Sequence, residues 1–282
     1  MKVIFHGDDF GLTSGVNKGI IRSFREGLLT SASLIAGGEA AEEAISLAKD
    51  NPGLDMGVHL ILCDELPVLR PEHLSSIILS GSRFPSRNHV LKAILAHKID
   101  YVEIEAEWNA QVEKVLNAEI PISHLDSHQF IHLFPGLLRI CLNIAGKHKI
   151  PFVRASCIDL PTLDAGFTRF VQWSCLKLWI RLFVSRFIPP DIKGPVSVGF
   201  LRAGGRMNKD ILLKTIDTLW RKKSACVVEV VLHPGIGDGH TAHKYSHWRY
   251  DWKKDLDLLT DNSLKKALDL LGVELTSFGK EL

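Results

Sequence analysis

Paired cysteines are missing from this chain. Its five cysteines, Cys63, Cys141, Cys157, Cys175 and Cys226, are scattered with no Cys-x-x-Cys among them. That removes a zinc ribbon or a dithiol redox centre and predicts reduced thiols in a cytoplasmic setting. Excess charge of one sign is missing too: 34 Lys and Arg stand against 32 Asp and Glu, a net charge of +2. Such a balance gives no basic footprint, so nucleic acid is not an expected partner. The first residues hold no basic leader followed by an apolar stretch, and residues 2–5 lead directly into an Asp-Asp pair; no export signal is expected. Low-complexity segments and internal repeats are absent, which sets disorder and solenoids aside. What remains is a chain of 282 residues, 46% hydrophobic and 23% charged, long enough to bury one full core as a single domain over 1–282.

Strand and helix signals alternate along it. A β-branched and aromatic run at 2–6 precedes Val16, Ile20, Ile21 and Phe24, which share one helical face across 14–26. Further strands are expected at 32–35, 56–62, 122–128, 152–155, 196–201 and 225–232, and helices at 39–49, 101–117, 136–147 and 209–220. About seven β-α repeats predict an α/β fold, an irregular TIM-like (β/α) barrel. Residues 63–100, rich in Pro, Ser, Arg and His, interrupt the rhythm as a long insertion after the third strand, the kind of excursion that forms lids and binding loops.

The side chains that carry chemistry stand where such strands end. Asp8 and Asp9 follow the first strand, His59 closes the third, His124, Asp126 and His128 alternate along the fourth, and His233 ends the apolar run 227–232. Parallel α/β folds gather their active sites at these ends. Alternate residues of a strand share a face, so His124, Asp126 and His128 point together. They form either a hydrogen-bonded polar patch in the core or part of a metal site. Two imidazoles and one carboxylate leave positions open for water and substrate, which favours a mononuclear metal hydrolase. Asp126 suits the orientation of a ligand imidazole better than ligation itself. Asp8 and Asp9 would face opposite ways on a regular strand, but a turn in the backbone brings both into one pocket, one for a metal and its neighbour for the proton of the attacking water. His233, before the Pro234-Gly235 turn, is matched to protonating a leaving group near neutral pH, or else bonds a carbonyl. Glu229, on the same strand face, can orient His233 or pair with Arg154 inside the barrel.

The segments His6 to Gly11, Gly57 to Leu60, His124 to His128 and His233 to Gly235 resemble the motifs of the YdjC-like carbohydrate deacetylases. The likeness spans 1 to about 235 and, through residues 27–34 and the Arg83-Phe84-Pro85 turn, is closer to the hopanoid-associated HpnK branch. The resemblance implies a TIM-like barrel and metal-dependent removal of the N-acetyl group of an acetamido sugar, in which Asp9, His59 and His128 hold one divalent metal ion. By motif position Asp8 is the base and His233 the acid. Magnesium is implied as a candidate beside zinc, which two imidazoles and a carboxylate suit by ligand softness. The chain departs from the family at His6-Gly7, usually Asn-Ala, and at Phe130, often a further His, while His132 is retained. These departures bear on substrate contacts near the metal.

Residues 165–190 form an apolar helical segment. Within 170–188 a stripe of Ser174, Lys177, Arg181 and Ser185 interrupts an otherwise apolar helix, too charged at its centre to span a bilayer. Trp173, Trp179, Phe183 and Phe187 beside those cations can lie in a membrane interface and deliver a lipid-linked sugar, which would place the protein at the inner face of a membrane. The same helix can instead be buried by its neighbours or in a homodimer. The competing functions are hydrolysis of a phosphoester or glycosidic bond and a non-catalytic sugar-binding barrel.

Overall fold

The computed structural model describes residues 1–78, 80–156, 167–190, 192, 194–222 and 226–281. Cys157, residues 165 and 166 of the apolar segment and residue 225 of the last expected strand lie outside them. Strands β1 (Lys2–Phe10), β2 (Ser31–Leu34), β3 (Asp55–Leu60), β4 (His124–Ser127), β5 (Phe152–Val153), β6 (Val196–Val198) and β7 (Val227–Leu232) pair in parallel in the order β5-β4-β3-β2-β1-β7-β6. One outer strand, β5, bonds the segment that leads into the other: Val153 N–H donates to Ile192 O at 2.8 Å and Gly194 N–H to Val153 O at 3.0 Å. The sheet therefore curls into a seven-stranded TIM-like barrel. A short β8 (Glu274–Leu275) pairs with the start of β1.

Helices cover the outside. They are α1 (Ser14–Glu26), α2 (Ala41–Lys49), α3 (Arg87–Leu95), α4 (Tyr101–Asn117), α5 (Pro135–His148), α6 (Phe167–Trp179), α7 (Ser185–Phe187), α8 (Lys209–Arg221), α9 (Gly239–Lys244), α10 (Trp252–Leu259) and α11 (Asn262–Leu270). Apolar stripes dictate how they dock. Gly15, Val16, Gly19, Ile20 and Ile21 of α1 are buried while Lys18 and Arg22 face water, and Thr13 caps the helix by accepting the Val16 N–H. The main apolar core lies between the sheet and these helices, with Val3, Phe5, Val58, Trp108 and Val230 within it.

The inside of the barrel is polar. Side chains of one strand alternate between the apolar layer and the interior, so His6, Ser31, Ser33, His59, His124, Asp126, Ser197 and Glu229 turn inward and are all buried. The bottom is plugged by Phe278, whose ring stacks on His124 at a centroid distance of 4.0 Å. Gly57 is required beside it: a Cβ there would stand 2.3 Å from His124 Nε2. In the insertion, residues 71–73 form a turn of 3-10 helix before α3, and Glu107 of α4 anchors the stretch by accepting the Val68 and Leu69 N–H groups.

Candidate active site

The Asp-Asp pair is bent by its own backbone. Pairing between β1 and β2 shifts register between Gly7 and Phe10, and Asp9 adopts a left-handed φ of 69°. A carboxylate residue tolerates that conformation better than most at a cost of ~1 kcal/mol, and the bulge lets both carboxylates reach one side. Gly11 follows at φ 96°, where any Cβ would also lie 2.9 Å from Ile35 O. Its N–H donates to Asn17 Oδ1 at 2.7 Å, so α1 holds the turn from behind.

Asp9 faces two imidazoles. His59 Nε2 lies 3.3 Å and His128 Nδ1 3.1 Å from Asp9 Oδ1. On its other nitrogen His59 meets Asp126 Oδ1 at 2.8 Å and Ser33 Oγ at 3.0 Å, which fixes the ring. His128 stands one residue beyond β4, and the left-handed Gln129 and Phe130 turn the chain away behind it. Asp9, His59 and His128 each offer a ligand atom, all within 4.8 Å of one another. Asp9 Oδ2 is buried without a hydrogen-bond partner.

Asp8 sits in a different environment. The Arg154 guanidinium donates to both of its oxygens, at 3.1 and 2.9 Å, and also contacts Asp126 Oδ2 at 2.8 Å and Glu229 Oε1 at 2.6 Å. Ser197 adds a hydroxyl donor to Glu229. Glu229 thus pairs with Arg154 rather than orienting His233. His233 Nε2 is 3.9 Å from Asp8 Oδ2. The His-Pro-Gly turn is strapped to α10, because His233 N–H donates to Asp255 Oδ2 at 3.0 Å and Gly235 N–H to Trp252 O at 3.1 Å.

The charges follow from these contacts. Burial disfavours the Asp8 carboxylate, but Arg154, His59 and His6 outweigh it and hold the group well below the ordinary range. Burial is likewise overcome at Asp9 by His128 and His59, and its carboxyl stays ionised. His59 moves the other way: against burial, Asp126 and Asp8 lift it to about 10. A positive charge is thus favoured between Asp9 and Asp126, and a divalent cation can replace the His59 proton there. The buried donors, the unpartnered Asp9 oxygen and this field fit a metal ion. A deeper group, His6, His124 and Asp126, also has ligand atoms, but Asp126 is paired with Arg154 and His6 lies between Ser31 and Ser33 at 3.2 and 3.1 Å.

A cavity of about 360 Å³ opens over the site, lined by Asp8, His59, His128, His233, Trp248 and Tyr250 among others. Asp8, Asp9, His59, Asp126, His128, Arg154, Glu229 and His233 therefore converge. His124 does not: it points to the bottom of the barrel, against Phe278. His132 is tied to Ser127 Oγ and to Arg154 O, 2.7 Å away, and braces the arginine rather than reaching the cavity. Sequence reasoning missed Ser33, Gln129, Asp255 and the Trp248-Tyr250 pair. Ser33 was legible as the inward neighbour of Ser31 on β2; the others carry no strand-end signal.

The model of the YdjC-like protein family matches residues 2–270. The chain belongs to the YdjC-like proteins. Similar relatives include a carbohydrate deacetylase of Vibrio campbellii, 38% identical over 280 residues that cover 99% of this chain and 95% of that one. Carbohydrate deacetylase 1 of Listeria innocua is 31% identical over 280 residues, 99% of both chains. The crystal structure of an Enterococcus faecalis protein assigned to cellobiose-phosphate cleavage superposes with a TM-score of 0.73 at 22% identity, covering 99% of this chain and 98% of its own. That likeness is one of fold. In this YdjC-like chain the segments quoted from the sequence all end at the same cavity.

Proposed function

We propose that this protein is a metal-dependent deacetylase that hydrolyses the N-acetyl group of an acetamido sugar and releases acetate. The observation that carries this reading is the convergence of Asp9, His59 and His128 with Asp8 on one flank and His233 on the other. Full-length relatives named carbohydrate deacetylases support it. Asp9, His59 and His128 would hold the divalent ion, zinc or magnesium, which when bound polarises the acetyl carbonyl and acidifies the attacking water. Asp8, clamped in orientation by Arg154, accepts the proton of that water. Asp126 and Ser33 keep His59 turned toward Asp9. His233 donates a proton to the departing amine, and the surrounding rings of Trp248 and Tyr250 limit access of bulk water.

Within acetamido sugars, the structure favours a lipid-linked one over a free oligosaccharide. A second, largely apolar cavity of about 690 Å³ runs between α3, α5 and α6 and shares Arg87, Gln129, Phe130, Gln172 and Phe200 with the first. A sugar in the catalytic cavity can extend an apolar group into it. The outer face of the same helical segment exposes Phe167 (76%), Leu178 (56%) and Phe187 (65%) beside Lys177, Arg181 and Arg186, a surface suited to an anionic membrane interface at the inner leaflet. Trp173 is not part of it, being buried against Leu201, and Trp179 turns inward to donate to Leu133 O at 2.9 Å. This substrate is consistent with the HpnK branch. No helix among the described residues is long and apolar enough to cross a membrane.

Two experiments separate the levels of this reading. Acetate release from acetamido sugars but not from phosphoesters, with metal content measured on the same preparation, tests the reaction. Flotation with anionic liposomes tests the surface: a folded Leu178→Asp/Phe187→Asp variant should lose binding, whereas loss of dimerisation in the same variant would assign that face to a second copy.

A further inference from the structure

Two cavities meet beside the catalytic centre, and the wall they share holds a fixed positive charge. Arg87, the first residue of α3, faces both the catalytic cavity of about 360 Å³ and the apolar one of about 690 Å³. Among the described residues no other arginine or lysine lines either space. Arg22, Arg83, Arg154 and Arg221 each meet a carboxylate at 3.1 Å or less, whereas no described carboxylate lies within 4.0 Å of the Arg87 guanidinium. Its hydrogen bond is a long one, Nη1 donating to Gln129 Oε1 at 3.4 Å. Gln172 brings a second side-chain amide to the junction, and the edge-to-face rings of Phe130 and Phe200, with centroids 5.5 Å apart, stand beside it. A half-buried guanidinium with spare N–H donors, set between a polar space and an apolar one, is matched to an anion that joins a polar group to an apolar group.

We propose that Arg87 binds a phosphate that links the acetamido sugar to its apolar chain, so that the substrate is a glycosyl phosphodiester rather than an uncharged glycoside. The sugar end of this assignment rests on the deacetylase reading; the linkage rests on Arg87. With the acetamido group toward Asp8 and His233, the phosphate oxygens accept the guanidinium N–H groups in place of Gln129, and the chain passes Phe130 and Phe200 toward Leu91, Ile94 and Leu176. Charge dictates this order. The catalytic cavity already presents the Asp8 carboxylate, which disfavours a second anion beside it. An anion drawn into the apolar cavity would lose its hydration with no cation to compensate. Among the described residues the junction alone offers a guanidinium to both spaces.

The test compares three compounds that carry the same acetamido sugar: its alkyl glycoside, its 1-phosphate and its alkyl phosphodiester. The metal-loaded protein should show the lowest KM for the diester. In Arg87→Gln, KM for the diester and for the 1-phosphate should rise about thirtyfold with metal content retained, while KM for the glycoside should change by less than about threefold. Arg87→Lys should recover part of the loss, since it restores the charge without the fork. Equal KM for glycoside and diester, or an equal rise for both in Arg87→Gln, would overturn the proposal. A 1-phosphate bound as tightly as the diester would overturn the apolar chain and assign the junction to a free sugar phosphate. Calorimetry with the diester needs no turnover and so separates the two levels. If no acetate is released yet the diester binds and Arg87→Gln weakens it, the deacetylase reading fails and the phosphate site stands. If acetate is released from all three compounds alike, the deacetylase reading stands and the phosphate site fails.

Discussion

Asp8 and Asp9 are adjacent in the chain, yet one is clamped by a guanidinium and the other faces two imidazoles. The left-handed φ of Asp9 produces this division, and it gives the two residues separable phenotypes. Asp8→Asn should retain metal, measured by plasma mass spectrometry, and lose roughly a thousandfold in kcat. His128→Ala should lose the metal together with the activity. Equal metal loss in both would contradict the assignment. Arg154 is the other decisive residue, because its guanidinium contacts Asp8, Asp126 and Glu229 together. Arg154→Met leaves three buried carboxylates without it and should destabilise the fold by about 3–5 kcal/mol in urea unfolding. Arg154→Lys should recover little, since an ammonium cannot reproduce the forked contacts. At this scale much was legible: Asp or His after an apolar run marks a strand end. Asp255 was not, because it sits inside an amphipathic helix where a buried carboxylate and an exposed one look alike in sequence.

The elements place these residues through close approaches that sequence patterns do not reveal. Helix α1 touches the His-Pro-Gly turn so tightly that a Cβ on Gly19 would stand 2.3 Å from Gly235 Cα. Both sides are backbone, so Gly19→Ala must displace the turn that carries His233. The expected outcome is a lower kcat with unchanged metal content; kinetics like the unaltered protein would show that the turn can shift without cost. The strands themselves were readable from period-two alternation, although β5 and β6 are shorter than expected, ending at Val153 and Val198. Gly199, at φ 123°, ends β6 early. The insertion at 63–100 was legible only as an interruption. Its attachment through Glu107 and through the bond from Tyr245 Oη to Glu65 Oε1, 2.6 Å, depends on partners far along the chain.

The whole molecule is a barrel whose interior is charged and whose apolar core lies outside the sheet, and its stability should report that arrangement. Burial lowers His132 to about 4 and also lowers His124. Both stay neutral in the folded state, whereas the unfolded chain binds protons below the ordinary value of 6.5. Stability should therefore fall as pH drops from 6.5 toward about 4, His132 contributing on the order of 3 kcal/mol. In His132→Asn the slope of thermal stability against pH in that window should shrink; an unaltered slope would show that His132 is not held neutral. The barrel class was legible from β-α alternation. Its closure by irregular bonds from β5 to Ile192 and Gly194, and the Phe278 plug, were not, since both join segments remote in sequence.

The most direct measurement is acetate release from an N-acetylated amino sugar by the metal-loaded protein beside Asp8→Asn with its metal content verified. The proposed chemistry predicts acetate and free amine in equal amounts from the unaltered protein and almost none from the variant. Absence of acetate from every acetamido sugar tried, by a protein that holds its metal, would contradict it.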